Sequence, residues 1–139
     1  MFDGGMGAVT DYPDTPLMSS PSICLLDDNL SVLRATRRLL NSAGWEAESF
    51  NDPTAFVDHI QANQPPVAVI DMLMPVLNGL EVQSRIHHVS PSTRVIILTS
   101  TDDPAIETNA LAAGAFAFFR KPVEPERFLA QVAAALNGQ

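Results

Sequence analysis

Four short apolar runs in this chain each close on residues able to do chemistry. Ile23-Cys24-Leu25-Leu26 leads into Asp27 and Asp28, and Val67-Ala68-Val69-Ile70 into Asp71. Val95-Ile96-Ile97-Leu98 leads into Thr99 and Ser100, and Phe116-Ala117-Phe118-Phe119 into Arg120, Lys121 and Pro122. Lys121 is the only lysine in the protein. Three carboxylates, a hydroxyl and an ammonium gathered in one place suit a hard divalent cation and phosphoryl chemistry. Singly, each residue has a plainer use. An Asp pair can cap a helix, Asp71 can shape a turn, Thr99 can cap the helix that follows, and a lone lysine can simply be solvated. Their joint placement after four like runs favours one site over four coincidences.

The elements that must position these residues are legible in the spacing. Apolar runs of four to six residues with helical patterns between them read as strands of a parallel sheet buried on both faces. Strands are expected at 22–26, 46–50, 67–70, 94–99 and 115–120, and helices at 30–43, 54–63, 79–88, 104–113 and 125–137. Asn29 or Asp28 can cap the first helix, and Gly44 sits where a left-handed residue would end it. Asp52-Pro53 and Asp103-Pro104 each pair a capping side chain with proline at the first helical position. Phe128, Leu129, Val132, Ala135 and Leu136 form one apolar face of the last helix. Five strands alternating with five helices predict a three-layer, doubly wound α/β sandwich. With strand order 2-1-3-4-5, the tips of the first and third strands flank the reversal in strand order, where such folds bind ligands.

At an effective dielectric near 20, two carboxylates about 4 Å apart repel by roughly 4 kcal/mol, which a bound cation relieves. Oxygen-only ligation favours Mg²⁺, whereas zinc would call for His or Cys, and Cys24, His59, His87 and His88 are poorly placed for that. Composition excludes other classes. A net charge of −8 with scattered basic residues argues against direct nucleic-acid binding. A single cysteine forbids an intrachain disulfide, and no stretch has the length and apolarity of a membrane span or a secretory signal, so a cytoplasmic protein is expected. Residues 1–21, rich in Gly and Pro with uncompensated Asp3, Asp11 and Asp14, read as a flexible tail preceding one domain over 22–139.

LLDDN, AVIDMLMPVLNGLE, VIILTSTDD and GAFAFFRKP, in that order over residues 22–137, resemble the receiver domains of two-component response regulators, related to the chemotaxis receiver. The first helix is most similar to receivers that precede a DNA-binding output domain. The resemblance implies that Asp71 accepts a phosphoryl group from a phosphohistidine on a sensor histidine kinase. It implies Mg²⁺ held by Asp28 and Asp71, by Asp27 through water, and by the backbone carbonyl of Leu73. It implies that Lys121 and Thr99 engage the phosphoryl oxygens, with the amides of Met72 and Ser100 completing the cradle. Thr99 and Phe118 would then act as the switch, read out on the fourth helix, fifth strand and fifth helix. The Lys121-Pro122 bond resembles the family's cis peptide. Activation is expected to promote homodimerisation or binding of a partner protein. With Gln139 closing the chain, the expectation is a stand-alone regulator or a receiver from a longer protein.

Three other classes share parts of the pattern. A Mg²⁺ phosphohydrolase of the haloacid-dehalogenase type needs an acid/base Asp two residues after its nucleophile, where this chain has Leu73. A flavodoxin-like flavin binder needs hydroxyls and free amides after the first strand to hold the flavin phosphate, which Asp27 and Asp28 would repel. A phosphorylation-independent interaction module of the same fold would be expected to lack one of the site residues, and all are present. Arg120 is a second positive charge beside Lys121, but strand alternation should turn it to the opposite side.

Overall fold

The computed structural model describes residues 23–71 and 78–138. The expected tail, together with Met72 and Leu73, lies outside the described residues. In chain order the elements are β1 (Ile23–Leu26), α1 (Leu30–Ser42), β2 (Ala47–Phe50), α2 (Pro53–Asn63), β3 (Val67–Asp71), α3 (Gly79–Val89), β4 (Arg94–Thr99), α4 (Pro104–Ala112), β5 (Ala117–Arg120) and α5 (Pro125–Leu136). The strands form one parallel sheet in the order β2-β1-β3-β4-β5, as expected.

The central strands β1, β3 and β4 are buried on both faces, which explains why they read as continuous apolar runs, whereas the edge strands β2 and β5 are only partly buried. Successive side chains alternate between two cores. Cys24, Leu26, Ala68, Ile70, Val95 and Ile97 pack with Phe56, Val57 and Ile60 of α2, Val82 and Ile86 of α3 and Ala110 of α4. Ile23, Leu25, Val67, Val69, Ile96 and Leu98 pack on the opposite face with Leu33 and Leu40 of α1 and Phe128, Val132 and Ala135 of α5. Burying each such large side chain stabilises the fold by about 1.5–3 kcal/mol, so a one-residue slip of any strand would exchange the two cores at heavy cost.

The caps follow the sequence signals. Asn29 accepts from the amides of Ser31 and Val32 and so caps α1, leaving Asp28 for other work. Asp52 and Asp103 cap α2 and α4 ahead of Pro53 and Pro104. Gly44 has φ +90° after α1, as its position implied. Most element ends fall within a residue of expectation, and the start of β5 moves by two for a clear reason. Ala115 donates its amide to Ala110 O at 3.0 Å and so finishes α4 instead of starting β5, which begins at Ala117. The end of α2 at Asn63 falls where expected, and Gln64 takes the left-handed position after it at φ +50°. Its side-chain amide offsets the strain by donating to the carbonyls of Gln61 and Val89.

Candidate functional site

The site is built at the carboxyl edge of the sheet, where parallel strands present their last residues together. Asp27 follows β1, its own amide bonded to Phe50 O at 3.2 Å, which carries the β1–β2 pairing one step past the regular strand. Its Oδ1 accepts from the amide of Asn29 at 2.9 Å, a local turn that fixes the carboxylate's direction. Asp71 ends β3 opposite Leu98 in the register, so Thr99 lies one residue beyond its partner on β4. Lys121 follows β5, and its amide donates to Thr99 O at 2.7 Å. The Lys121-Pro122 peptide is cis.

The side chains converge. Lys121 Nζ donates to Asp27 Oδ2 at 2.7 Å and to Asp71 Oδ1 at 3.2 Å. Asp27 and Asp71 are only 4% and 5% exposed. Burial is the largest single influence on the Lys121 ammonium and by itself would lower its pKa. The hydrogen bond and charge of Asp27, followed by the charge and hydrogen bond of Asp71, outweigh it and hold the group above the ordinary lysine value. Asp28 is exposed beside this pair, and one carboxylate oxygen each from Asp27, Asp28 and Asp71 lies within 4.8 Å of the others. Three oxygen donors that close, with one open to solvent, fit a hard cation that keeps some of its water, as Mg²⁺ does. Thr99 is fully buried, and its Oγ1 accepts from the amide of Thr101 at 3.2 Å, leaving the hydroxyl proton available. Ser100 is exposed at the same edge. Phe118 is half-buried against the core on the α2–α4 face.

The remaining candidates are not part of this cluster. Cys24 is fully buried, and burial, aided by the charge of Glu48, pushes its thiol up to about 12, so it packs as a neutral group. His59 packs against Phe50 with ring centroids 5.0 Å apart and the rings tilted by 46°, and its Nε2 lies 3.8 Å from Glu48. His87 and His88 are exposed near the end of α3. Arg120 points away from the acidic cluster, as strand alternation implied, and its guanidinium lies over the ring of Phe118 at 5.9 Å. What residue-by-residue reading missed is a chain of turns in the β4–α4 loop. Thr99 Oγ1 accepts from Thr101 N, Thr101 Oγ1 from Asp103 N and Asp103 Oδ1 from Ala105 N. The signal for it was present: hydroxyl, hydroxyl and carboxylate at two-residue spacing immediately before a helix.

A model of the response regulator receiver domain matches residues 23–133, and the chain belongs to that family. It is 31% identical over 115 residues to the response regulator protein TodT of Pseudomonas putida, covering 83% of this chain and 51% of TodT. Among solved structures, a response regulator receiver domain from Clostridium thermocellum is 30% identical with a TM-score of 0.79, covering 84% of this chain and 94% of that one. The beryllofluoride-activated NtrC4 receiver domain dimer is 26% identical with a TM-score of 0.79, covering 84% of this chain and 96% of that one. The chain spans about half the length of the curated relatives TodT and MprA. It is thus a receiver domain of the two-component response regulators, with an acidic pocket compatible with Mg²⁺. Among the described residues no helix is long and apolar enough to cross a membrane.

Proposed function

We propose that this receiver is switched by phosphorylation of Asp71. The observation that carries the reading is a single ammonium, Lys121, shared by Asp27 and Asp71 inside a cluster of three carboxylates at the sheet's carboxyl edge. A carboxylate oxygen of Asp71 attacks the phosphorus of a phosphohistidine on a sensor histidine kinase. The N–P bond breaks, the imidazole leaves with the electron pair, and an acyl phosphate forms on Asp71. Such a transfer depends on position and charge more than on covalent catalysis.

Asp28 and Asp71 would hold Mg²⁺ directly, Asp27 through water, and the carbonyl of Leu73 would add an oxygen. When bound, the ion supplies positive charge that offsets the carboxylates and the incoming phosphoryl oxygens. Lys121 is already placed to exchange a carboxylate partner for a phosphoryl oxygen. Thr99 would donate its hydroxyl proton to the phosphoryl group, and the amides of Met72 and Ser100 would take the remaining oxygens. Movement of Thr99 would then be accompanied by Phe118, altering the face formed by α4, β5 and α5. That face would bind a second copy, a partner protein, or an output domain such as the DNA-binding modules of transcriptional regulators. The receiver unit on this reading is 22–139, preceded by the segment 1–21 and acting in the cytoplasm as a signalling switch.

The test is labelling. With Mg²⁺ and acetyl phosphate the protein should take up one acid-labile phosphoryl group, and Asp71→Ala should abolish it. Stoichiometric labelling that survives the substitution would sink the assignment.

A further inference from the structure

Arg120 is left over by the phosphoryl chemistry, yet its guanidinium meets three separate parts of the structure. Its Nε donates to the carbonyl of Thr101 at 3.3 Å and lies 3.9 Å from Asp102 Oδ1. Its Nη1 lies 3.8 Å from Glu107 Oε1, in the first turn of α4. The same group sits over the Phe118 ring, because residues two apart in β5 share a face. One planar donor fork therefore ties the β4–α4 loop, the start of α4 and Phe118 into one arrangement.

Thr101 connects this fork to the site. Its amide is bonded to Thr99 Oγ1, its carbonyl to Arg120, and its hydroxyl accepts from Asp103, which caps α4. A displacement of Thr99 therefore pulls on the residue that Arg120 holds. We propose that Arg120 is a positioning residue that holds the β4–α4 loop, α4 and Phe118 in the resting arrangement and releases them together when Thr99 moves. The inference rests on the reading of Asp71 as phosphoacceptor. The fork is soft by construction: the side chains of Arg120 and Glu107 are 42% and 43% exposed, and Asp102 is fully exposed. Exposed contacts of this kind are individually weak, so the group biases an equilibrium between two arrangements without locking either.

The experiment compares amide spectra of the full chain for the wild type, Arg120→Met and Arg120→Lys, with and without Mg²⁺ and beryllofluoride. Methionine keeps much of the apolar stem and removes the fork. Lysine keeps the charge and loses the Nε donor. Without beryllofluoride, Arg120→Met should displace the amides of 101–103, 105–112 and Phe118 along the line joining the wild type's resting and beryllofluoride-bound positions. Exchange of α4 amides should rise by about three- to tenfold. Arg120→Lys should move in the same direction but less far. Phosphoryl uptake from acetyl phosphate should still reach one group per chain, since Arg120 does not touch the acidic cluster, although its rate can rise as the resting arrangement is weakened. If the wild type responds to beryllofluoride while Arg120→Met leaves these amides in place, or shifts them off that line, the coupling role is overturned. If the wild type itself takes no phosphoryl group and ignores beryllofluoride, the phosphoacceptor reading falls and the coupling with it.

Discussion

Lys121 donates to two carboxylates that would otherwise repel each other across a nearly closed site. Its pKa is held above the ordinary lysine value, so its contribution to stability is fully present below about pH 10.4 and is lost as pH rises through the raised folded value. Replacing it with methionine removes two charge-assisted hydrogen bonds and leaves Asp27 and Asp71 uncompensated, at a cost on the order of 2–4 kcal/mol near neutrality. Lys121→Met should therefore lower the urea midpoint, and the gap to wild type should narrow once the pH passes about 10.4. Cys24, raised to about 12, also makes the fold alkali-sensitive but is present in both proteins and cancels in the comparison. A gap that stays constant across the alkaline range would contradict the pairing.

At the scale of elements, α4 differs from its neighbours. It buries only Ala110, whereas α2 buries Pro53, Phe56, Val57 and Ile60. Its position relies on polar contacts at its ends: the Asp103 cap, the Arg120–Glu107 pair, and Gln83 of α3, which donates to Ala110 O at 3.1 Å. With so little apolar area to lose, α4 should open at lower free energy than the remaining helices. Native-state hydrogen exchange should find the amides of residues 105–112 exchanging through local openings while those of α2 require near-global unfolding. Equal protection in the two helices would show that polar end contacts hold α4 as firmly as a packed face. On the proposed reading, a helix that opens easily suits a switch surface, whereas the β1–β3–β4 centre of the sheet stays fixed and keeps Asp27, Asp71 and Thr99 in register.

For the whole molecule, folding concentrates negative charge that the unfolded chain keeps apart. Asp27 and Asp28 are more than 40 residues from Asp71 in the sequence, yet one oxygen of each lies within 4.8 Å of the others. A cation that bridges them binds the folded state and has little hold on the unfolded one. At 100 times its dissociation constant, Mg²⁺ should add about 2.7 kcal/mol to stability. The melting temperature should rise with Mg²⁺, and Asp28→Asn should blunt the rise because Asp28 is the carboxylate of the three not committed to Lys121. Melting that ignores Mg²⁺ at concentrations far above a millimolar affinity would count against the metal site.

The sequence by itself determined what depends on near neighbours. Apolar runs too short for helices, buried on both faces, made Ile23–Leu26, Val67–Asp71 and Arg94–Thr99 strands. Asn29, Asp52 and Asp103 capped their helices because each needs only an amide two or three residues on. The same local rules placed Asp27, Asp71, Thr99 and Lys121 at one sheet edge once the alternation of strands and helices was read. Which groups touch was decided only by the tertiary structure. Lys121 bonds Asp27, 94 residues away, more closely than Asp71, 50 residues away. Arg120 finds Thr101 and Glu107 across a strand boundary, and the left-handed Gln64 finds the carbonyl of Val89 for its side chain. A strand's period says which face a side chain leaves by. The partner it meets there depends on how strands and helices far apart in the chain pack, and no local pattern carries that distance.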